Sequence, residues 1–543
     1  MNKFALKLKR RQSRYKQKKT QSTSRERRLV LNMNLSRIRR DQLLTSKRNI
    51  TFNYKTNTNI TSTIDNSEII SENEIQQVIR SVLNGDDFER EYALFTIKDY
   101  FSGNTICNED LLTNVVNLLF EIVSQKQKYP NLQIEALDLI ANLSCGTFEQ
   151  TEPLINTGIM KYLLNYLTCD EVEYLEIALL TIGNLLQDSI DLKDEFLTNG
   201  FFMRVLNIYS LNYPSKIYKV ATWILTTLCQ GSLCRKLETY SPIIEVLTEL
   251  LTETNRHLIR SACSGLASLC DKKVLFSYFC QFHTFERLLN LLNSNQISSK
   301  NYKTKQIVLF ALSQLIKNSY RNFVIKELFS EFRIIETLNN LFDNSKNPKL
   351  FISDLLLVLR RSSRAGSEII QQIISCQILN KIFQLYQLEQ DKQKKEIQQQ
   401  QQQQQQEQQQ EQQQETFFSN SDSNFNKEFK YEMCWALFHI FANSNNVQYL
   451  SICKQGAIQI ICDHIHYEND LSIIRPTLKT INTLCEFENL SIVNHFDENG
   501  VLQIIDKLTE HNNQKIRKIS NDIIDNVILA HSRMFENDLE IEN

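Results

Sequence analysis

The chain has 543 residues and a formal net charge of −1, enough material for several ordinary domains or one long repeat array. Its 11 Gly and 6 Pro are too few for β-sandwiches, barrels and Gly-rich phosphate loops, so the composition predicts a mostly helical chain. The 13 cysteines stand singly, without zinc-type spacing, and indicate a reduced intracellular protein. No apolar run is long enough to span a membrane and no phosphate-loop, dinucleotide, metalloprotease or nucleophile-elbow motif occurs, so we expect no enzyme, cofactor, metal or membrane insertion.

The first 50 residues are strongly basic. They contain 17 Lys and Arg but only two acids, Glu26 and Asp41. This head therefore carries +15, which leaves −16 for the rest of a chain whose total is −1. The two parts attract each other. Between them, the polar stretch Thr51 to Ser67 has no hydrophobic period, which predicts a flexible linker over residues 51–70.

A repeated helical unit follows the linker. One copy, "IEALDLIANLSCGTFEQTEPLINTGIMKYLLNYL" from Ile134 to Leu167, has apolar residues at helical spacing and a helix stop at Asn156 to Gly158. The next copy has the same stop at Asn199 and Gly200, and later copies use Gly456 and Gly500.

Aligned on one position of the longest helix, the copies are 41 to 48 residues apart, apart from a single step of 77. The aligned residues are Asp99, Asn142, Asn184, Thr227, Ser268, Gln314, Ser362, His439, Thr483 and Asp525. About ten units of ~43 residues are typical of armadillo or HEAT repeats. We therefore predict an all-α, right-handed superhelical solenoid over residues 71–535, followed by an acidic tail at 536–543.

The long step contains a Gln-rich run, Gln398 to Glu415, and then a Ser/Asn-rich stretch. Such a composition cannot bury enough apolar area to offset its ordering entropy, so we predict a disordered insertion at 390–427. It lies between a helix around Ile378–Leu388 and a helix that holds Trp435. Its alternative interpretation is a tolerated expansion without function.

Two stretches resemble importin-α, the adaptor that carries nuclear-localisation-signal cargo together with importin-β. In the head, "RYKQKK" (Arg14 to Lys19), "SRERRLVLNMNLSRIRRDQLL" and "SKRNI" (Ser46 to Ile50) follow the order of an importin-β-binding segment. In the repeats, "NLSCGTFEQT" (Asn142 to Thr151) and "GNLLQD" (Gly183 to Asp188) are similar to the second and third armadillo repeats of that family.

The resemblance implies an adaptor that shuttles between cytoplasm and nucleus. Its partners would be importin-β, cargo proteins with basic nuclear signals and a nuclear export receptor for recycling, without direct nucleic-acid binding. The cluster Lys47 to Asn49 itself resembles a nuclear signal and would compete with cargo as a tethered peptide. The head residues implied to bind importin-β are Arg14, Lys16, Lys18, Arg27, Arg28, Arg37, Arg39, Arg40, Lys47 and Arg48.

The same resemblance implies a concave cargo groove. Asparagine amides can hold an extended peptide backbone, a Trp one turn earlier can stack on lysine stems, and an aspartate can bind the lysine ammonium. This chain departs from the family at Asp138 and Leu180, which replace two of the tryptophans, and the second, minor site is largely eroded at Phe310 and Val358. The implied groove residues are Asn142, Gly146, Thr151, Asn184, Asp188, Trp223, Thr227, Trp435 and His439.

Other interpretations stay open at this point. The asparagines could be helix caps and the two tryptophans core aromatics, while His464 and His466 look like exposed helix residues. The head could be a nucleic-acid arm, although its apolar residues at helical spacing favour a partner-bound helix. The whole chain could be a catenin-type scaffold for acidic or apolar partners, or an importin-α relative with unusual cargo.

Overall fold

The structure is a computed structural model that describes isolated positions between 76 and 100 and then, with short gaps, residues 109–125, 132–145, 148–169, 171–294, 302–319, 329, 332–407, 420–467, 470–487 and 490–541. Within these residues all regular structure is helical. The chain divides into two compact units, Met1–Val246 and Leu247–Asn543.

The described α-helices of the first unit belong to the first predicted copies of the repeat. They are α1 (Glu109–Ser124), α2 (Gln133–Leu143), α3 (Phe148–Asn156), α4 (Met160–Tyr166), α5 (Val172–Asp188), α6 (Ile190–Thr198), α7 (Phe202–Leu206) and α8 (Ser215–Cys229). Helix α9 (Tyr240–Glu249) contains the boundary between the units.

The second unit continues the same alternation of short and long helices. They are α10 (Arg256–Cys270), α11 (Phe276–Gln281), α12 (Thr284–Asn293), α13 (Tyr302–Ser319), α14 (Ile334–Asp343), α15 (Ile352–Ser362), α16 (Ser367–Ser375), α17 (Ile378–Glu407), α18 (Asn420–Ala442), α19 (Asn446–Ile452), α20 (Ile458–Tyr467), α21 (Leu471–Glu486), α22 (Leu490–Glu498), α23 (Val501–Leu508) and α24 (Gln514–Ile541).

Within each unit, the long helix of one repeat packs on the long helix of the next. In the first unit α2 contacts α5 and α5 contacts α8; in the second, α10, α13, α15, α18, α21 and α24 pack in that order. Their facing side chains, such as Ile182 in α5 and Leu225 in α8, are completely buried. Nine of the ten aligned positions lie in these long helices, as predicted, and Asp99 lies outside the described residues.

The helix ends follow local chemistry. Gly158 and Gly200 adopt φ of 71° and 76°, a left-handed backbone that costs Gly little, and so they end α3 and α6 where the sequence predicts a stop. Gly456 and Gly500 also have positive φ. At the other ends, the side chains of Ser189 and Asp470 accept backbone hydrogen bonds from the first turns of α6 and α21.

The ends of the Gln-rich insertion differ from the prediction of disorder. Helix α17 runs to Glu407 and α18 begins at Asn420, so positions 390–407 and 420–427 are helical, and 408–419 lie outside the described residues. Glutamine has a good helix propensity, so a packed helix can continue through such a run. Helix α24 likewise includes the first part of the predicted acidic tail, up to Ile541. The head and the linker, 1–70, lie outside the described residues.

Candidate functional site

A row of side chains at one-turn spacing lies along α2, α5 and α8 of the first unit. Residues four apart on a helix share a face, so Asp138 sits one turn before Asn142, Leu180 before Asn184, and Trp223 before Thr227. We call the surface formed by Asp138, Asn142, Leu180, Asn184, Asp188, Trp223 and Thr227 the N-terminal face. Asp138, Asn142, Leu180, Asp188 and Trp223 are half-buried, whereas Asn184 and Thr227 are only 1% exposed.

The Trp223 indole of α8 packs against α5 at Gly183. A Cβ placed on Gly183 would be 2.2 Å from Cζ3 of the indole and 2.7 Å from Cη2. Only a glycine at this helical position leaves room for the ring. The ring is therefore packed against the neighbouring repeat, and its remaining surface forms an apolar wall on the N-terminal face.

The side chain of Asn184 makes hydrogen bonds within the protein. Its Nδ2 donates to Ser144 Oγ at 2.9 Å and to Cys145 Sγ at 3.3 Å, while both of those groups donate to the carbonyl of Ala141. The Asn184 Oδ1 is buried and has no hydrogen-bond partner among the described residues. The predicted backbone-binding amide thus fastens the end of α2 to α5, and only its acceptor oxygen is uncommitted.

Acidic groups dominate the N-terminal face. Asp188 is the last residue of α5, where its charge adds to the partial negative charge of the helix C-terminus. Asp138 stands on α2 at a position where the family has an indole. A third carboxylate, Glu176, is bound by Lys216 at 2.7 Å near the opposite end of α5. Asp138 of α2, Asp188 of α5 and the Trp223 wall of α8 thus stand on successive long helices of this face.

Thr151, another predicted residue of the first repeats, is not at this surface. The side chain of Thr151 is completely buried in α3, and Gly146 lies outside the described residues. The ten basic residues predicted to bind importin-β all belong to residues 1–50 and lie outside the described residues as well.

The second predicted tryptophan has a different environment. Trp435 of α18 stacks on His439, with ring centroids 6.0 Å apart and an interplanar angle of 24°. Lys479 of α21 places its Nζ 5.5 Å from the Trp435 ring and 5.0 Å from the Phe438 ring. The cation–π position that a cargo lysine would need is therefore taken by a lysine of the same chain.

The alignment of α15 is off by one residue. Val358 and Ser362 are completely buried, whereas Leu357 and Arg361 are half-buried at the surface. The step from Gln314 is thus 47 residues rather than 48, because the buried face of α15 begins one residue earlier than a step of 48 implies. The residue presented by this helix is an arginine.

The prediction that His464 is exposed is wrong. It is only 2% exposed, because it stands three and four residues after the buried Ile461 and Ile460 on the same face of α20. Its Nδ1 is 3.1 Å from Cys434 Sγ, and burial, helped by Lys430, lowers its pKa to about 3. His466 is exposed, as predicted, and its Nε2 is 2.6 Å from the Asn499 carbonyl.

Two features of these surfaces escaped sequence reasoning. Gly183 could have been found as a glycine inside a helix, 40 residues before Trp223. Lys479 could have been found as a lysine 44 residues, one repeat, after Trp435. In the part of the chain that the structure describes, no three His, Cys, Asp or Glu residues are grouped to hold a metal. No helix there combines the length and apolarity needed to cross a membrane.

No protein-family model matches the chain. It is 25% identical over 163 residues to importin subunit alpha-1b of Oryza sativa subsp. japonica, covering 30% of each chain, and 27% identical over 146 residues to importin subunit alpha-2 of Arabidopsis thaliana, covering 27% of each. A longer match to importin subunit alpha-3 of Arabidopsis thaliana is 23% identical over 243 residues, covering 41% of this chain and 46% of that one. The chain thus matches less than half the length of these relatives.

Two solved structures share the fold. An engineered protein superposes with a TM-score of 0.62 at 15% identity, covering 83% of this chain and 98% of its own. A structure from a study of cadherin and β-catenin superposes with a TM-score of 0.53 at 12% identity, covering 84% and 86%. The predicted all-α superhelical armadillo solenoid is confirmed. The chain is an armadillo-repeat protein with distant, partial similarity to importin-α subunits.

Proposed function

We propose that this chain is a nuclear import adaptor that binds basic nuclear-localisation-signal peptides on the N-terminal face and recruits importin-β through residues 1–50. Its similarity to importin-α subunits supports an adaptor of this type. The single observation that carries the proposal is the combination of Asp188 with the Trp223 wall on adjacent helices.

The chemistry of that surface suits a lysine side chain. A carboxylate binds the ammonium by a charge-assisted hydrogen bond, and an indole beside it shields the apolar stem and attracts the cation. With Asp138 and Leu180 in place of two indoles, the face offers less stacking than the family pattern implies, and stacking on each lost wall would have supplied ~0.5–2 kcal/mol. Asp188 therefore carries a larger share of the selectivity for lysine.

The basic head supplies the second half of the function. Its cations and interleaved apolar residues fit a helix that binds an acidic partner surface, which is the proposed role of importin-β. In the absence of importin-β, the cluster Lys47 to Asn49 competes with cargo for the N-terminal face. Loading in the cytoplasm, release in the nucleus and return with an export receptor complete the proposed cycle.

The test is a titration of a fluorescent lysine-rich nuclear-signal peptide against the full chain in a Lys47→Ala/Arg48→Ala background, which removes the internal competitor. Asp188→Lys places a like charge where the ammonium binds, so we expect a loss on the order of 2–5 kcal/mol, or ~30-fold or more in Kd. Asp191→Lys makes the same charge change at an exposed position of α6 and should change the affinity by less than about threefold. Equal affinities of the wild-type and Asp188→Lys proteins would refute the proposed cargo site.

A further inference from the structure

The long helices α15, α18 and α21 of the second unit present cations where the first unit presents acids. We call the surface formed by Arg360, Arg361, Arg364, Trp435, His439, Arg475 and Lys479 the C-terminal face. Arg360 and Arg361 end α15, Arg364 follows in the next turn, and Arg475 stands one helical turn before Lys479 in α21. All these residues belong to the same compact unit.

The contacts of these cations show how they are arranged. Arg360 binds Glu432 at 2.9 Å, and Arg361 reaches back to α13, where its Nη1 donates to Ser313 Oγ at 3.1 Å. Lys479 lies over Trp435 and Phe438. The Nε of Arg475 is buried and has no acceptor among the described residues. A buried N–H donor without an acceptor is costly, and a carboxylate bound to the same guanidinium would stabilise its charge.

Four carboxylates lie in the same region as these cations. Glu432 is already bound by Arg360, and Glu428 and Asp354 stand toward the other end of α18 and α15. Burial, followed by the charges of Glu428 and Glu432, raises the pKa of Asp354 to about 7, so this side chain is partly protonated at neutral pH. Asp271, the next acid along the face, pairs with Lys317 at 3.0 Å.

His439 lies close enough to these cations for their charges to affect its pKa. Burial, followed by the charges of Arg364, Arg360 and Lys479, lowers its pKa to about 4. The imidazole is therefore neutral at pH 7, and the cations of α15 and α21 are close enough to disfavour another positive charge. A basic peptide segment would be disfavoured at the same place for the same reason.

We propose that the C-terminal face binds a short acidic peptide segment of a protein partner. Two helix spacings of about 8–10 Å give a length of ~16–20 Å, which an extended segment of five or six residues covers at about 3.3 Å per residue. Carboxylates of that segment pair with Arg364, Arg475 and Lys479, and Arg361 is within the same row. A long nucleic acid fits less well, because residues 51–543 carry −16 in total and would repel a polyanion beyond the face.

The proposal does not depend on cargo binding at the N-terminal face, since it uses different helices and the opposite charge. The test measures the fluorescence anisotropy of a labelled peptide with six consecutive Glu, flanked by Gly and Ser, with the full chain at 150 mM salt. The variant Lys479→Met/Arg364→Gln removes two charges and keeps the side-chain stems on their neighbours, and we expect it to weaken binding at least tenfold. The control Lys454→Glu alters an exposed lysine outside the long helices and should leave the affinity within about threefold.

Each other outcome decides against the proposal. Equal binding by the wild-type and Lys479→Met/Arg364→Gln proteins would show that the acidic peptide binds another surface, such as the basic head. Absence of binding to the wild-type chain at 50 mM salt would overturn the site altogether. Tighter binding of a six-nucleotide single-stranded DNA, sensitive to the same two substitutions, would replace the acidic peptide by a nucleic acid. A circular-dichroism melt of each variant shows that a lost affinity is not lost folding.

Discussion

The packing of Trp223 on Gly183 can be tested by adding one methyl group. In the variant Gly183→Ala the new Cβ would lie 2.2 Å from Cζ3 of the indole, whereas ordinary contact begins at 3.4 Å. The ring must therefore retreat by about 1.2 Å. The helices themselves cannot separate by that amount without opening the core between them, where Ile182, Ile224 and Leu225 are completely buried. We expect the half-buried indole to rotate outward instead.

The change in stability should be small because two effects oppose each other. An indole buries ~150–250 Å², which at ~25 cal/mol per Å² gives ~4–6 kcal/mol as the most that the burial of Trp223 contributes. The retreat removes only part of it. Replacement of Gly by Ala inside a helix contributes ~1 kcal/mol in the other direction. The net change in the free energy of unfolding should be on the order of 1 kcal/mol or less.

Fluorescence separates the ring movement from stability. The chain has two tryptophans, so a Trp435→Phe background leaves Trp223 as the single emitter. Gly183→Ala should shift its emission to longer wavelength and increase quenching by acrylamide, and it should weaken binding of the lysine-rich peptide. In a Trp223→Leu background the same methyl group meets no indole and should stabilise the chain by up to ~1 kcal/mol. An unchanged emission maximum and unchanged quenching in a folded variant would refute the packing.

Three further predictions concern the head, the buried histidine and the number of basic sites. Arg39→Glu/Arg40→Glu should weaken binding to importin-β by on the order of 2–5 kcal/mol in a pull-down or titration, because like charges replace desolvated pairs; full binding would exclude the head as the contact. The unfolded state takes up a proton on His464 below its ordinary pKa near 6.5, while the folded state does not until about 3, so this residue makes stability fall as pH falls through that window. The stability advantage of wild type over His464→Leu in urea unfolding should therefore shrink from pH 7 to pH 4, and parallel curves would contradict it. A peptide with two basic clusters should bind less than about threefold tighter than one with a single cluster, because a second cluster meets Lys479 and the arginines; a gain of 10²-fold or more would indicate avidity from a second basic site.

The sequence was sufficient to predict the repeat, but not the side-chain contacts on the surfaces of its helices. The period and the stops at Gly158 and Gly200 were readable because apolar spacing and left-handed glycines are local properties of the chain. The four-residue spacing from Trp435 to His439 likewise predicted their shared face. Whether a ligand can stack on Trp435 depends on Lys479, which stands one repeat later in the sequence. The repeat spacing alone does not show that this lysine side chain lies over the indole.

Asn184 shows a second limit of the sequence. Its type and position predicted an amide ready for a ligand, and the structure instead places its NH₂ group on Ser144 and Cys145. A buried amide must satisfy its donors, and the end of the preceding helix supplies acceptors at the right distance. The register of α15 differs for a similar reason, since packing against α13 and α18 decides which residues are buried, so Arg361 is presented instead of Ser362.

The opposite charges of the two faces have a common structural origin. Both faces use positions one helical turn apart on successive long helices, and the helices that carry them pack in the same way within each unit. A different side chain at such a position can therefore change which ligand charge the face favours, while the packing of the helices stays the same. Exposed charges act over about 8–10 Å at physiological salt, so a bound segment senses the face beneath it rather than the total of −1. On the C-terminal face the Lys479 side chain lies over the Trp435 indole, where a cargo lysine would have to stack, and it also adds a positive charge to the face. In the proposed acidic-peptide site one side chain therefore has two effects, because the cation that lies over the aromatic wall both excludes a basic peptide and attracts a carboxylate.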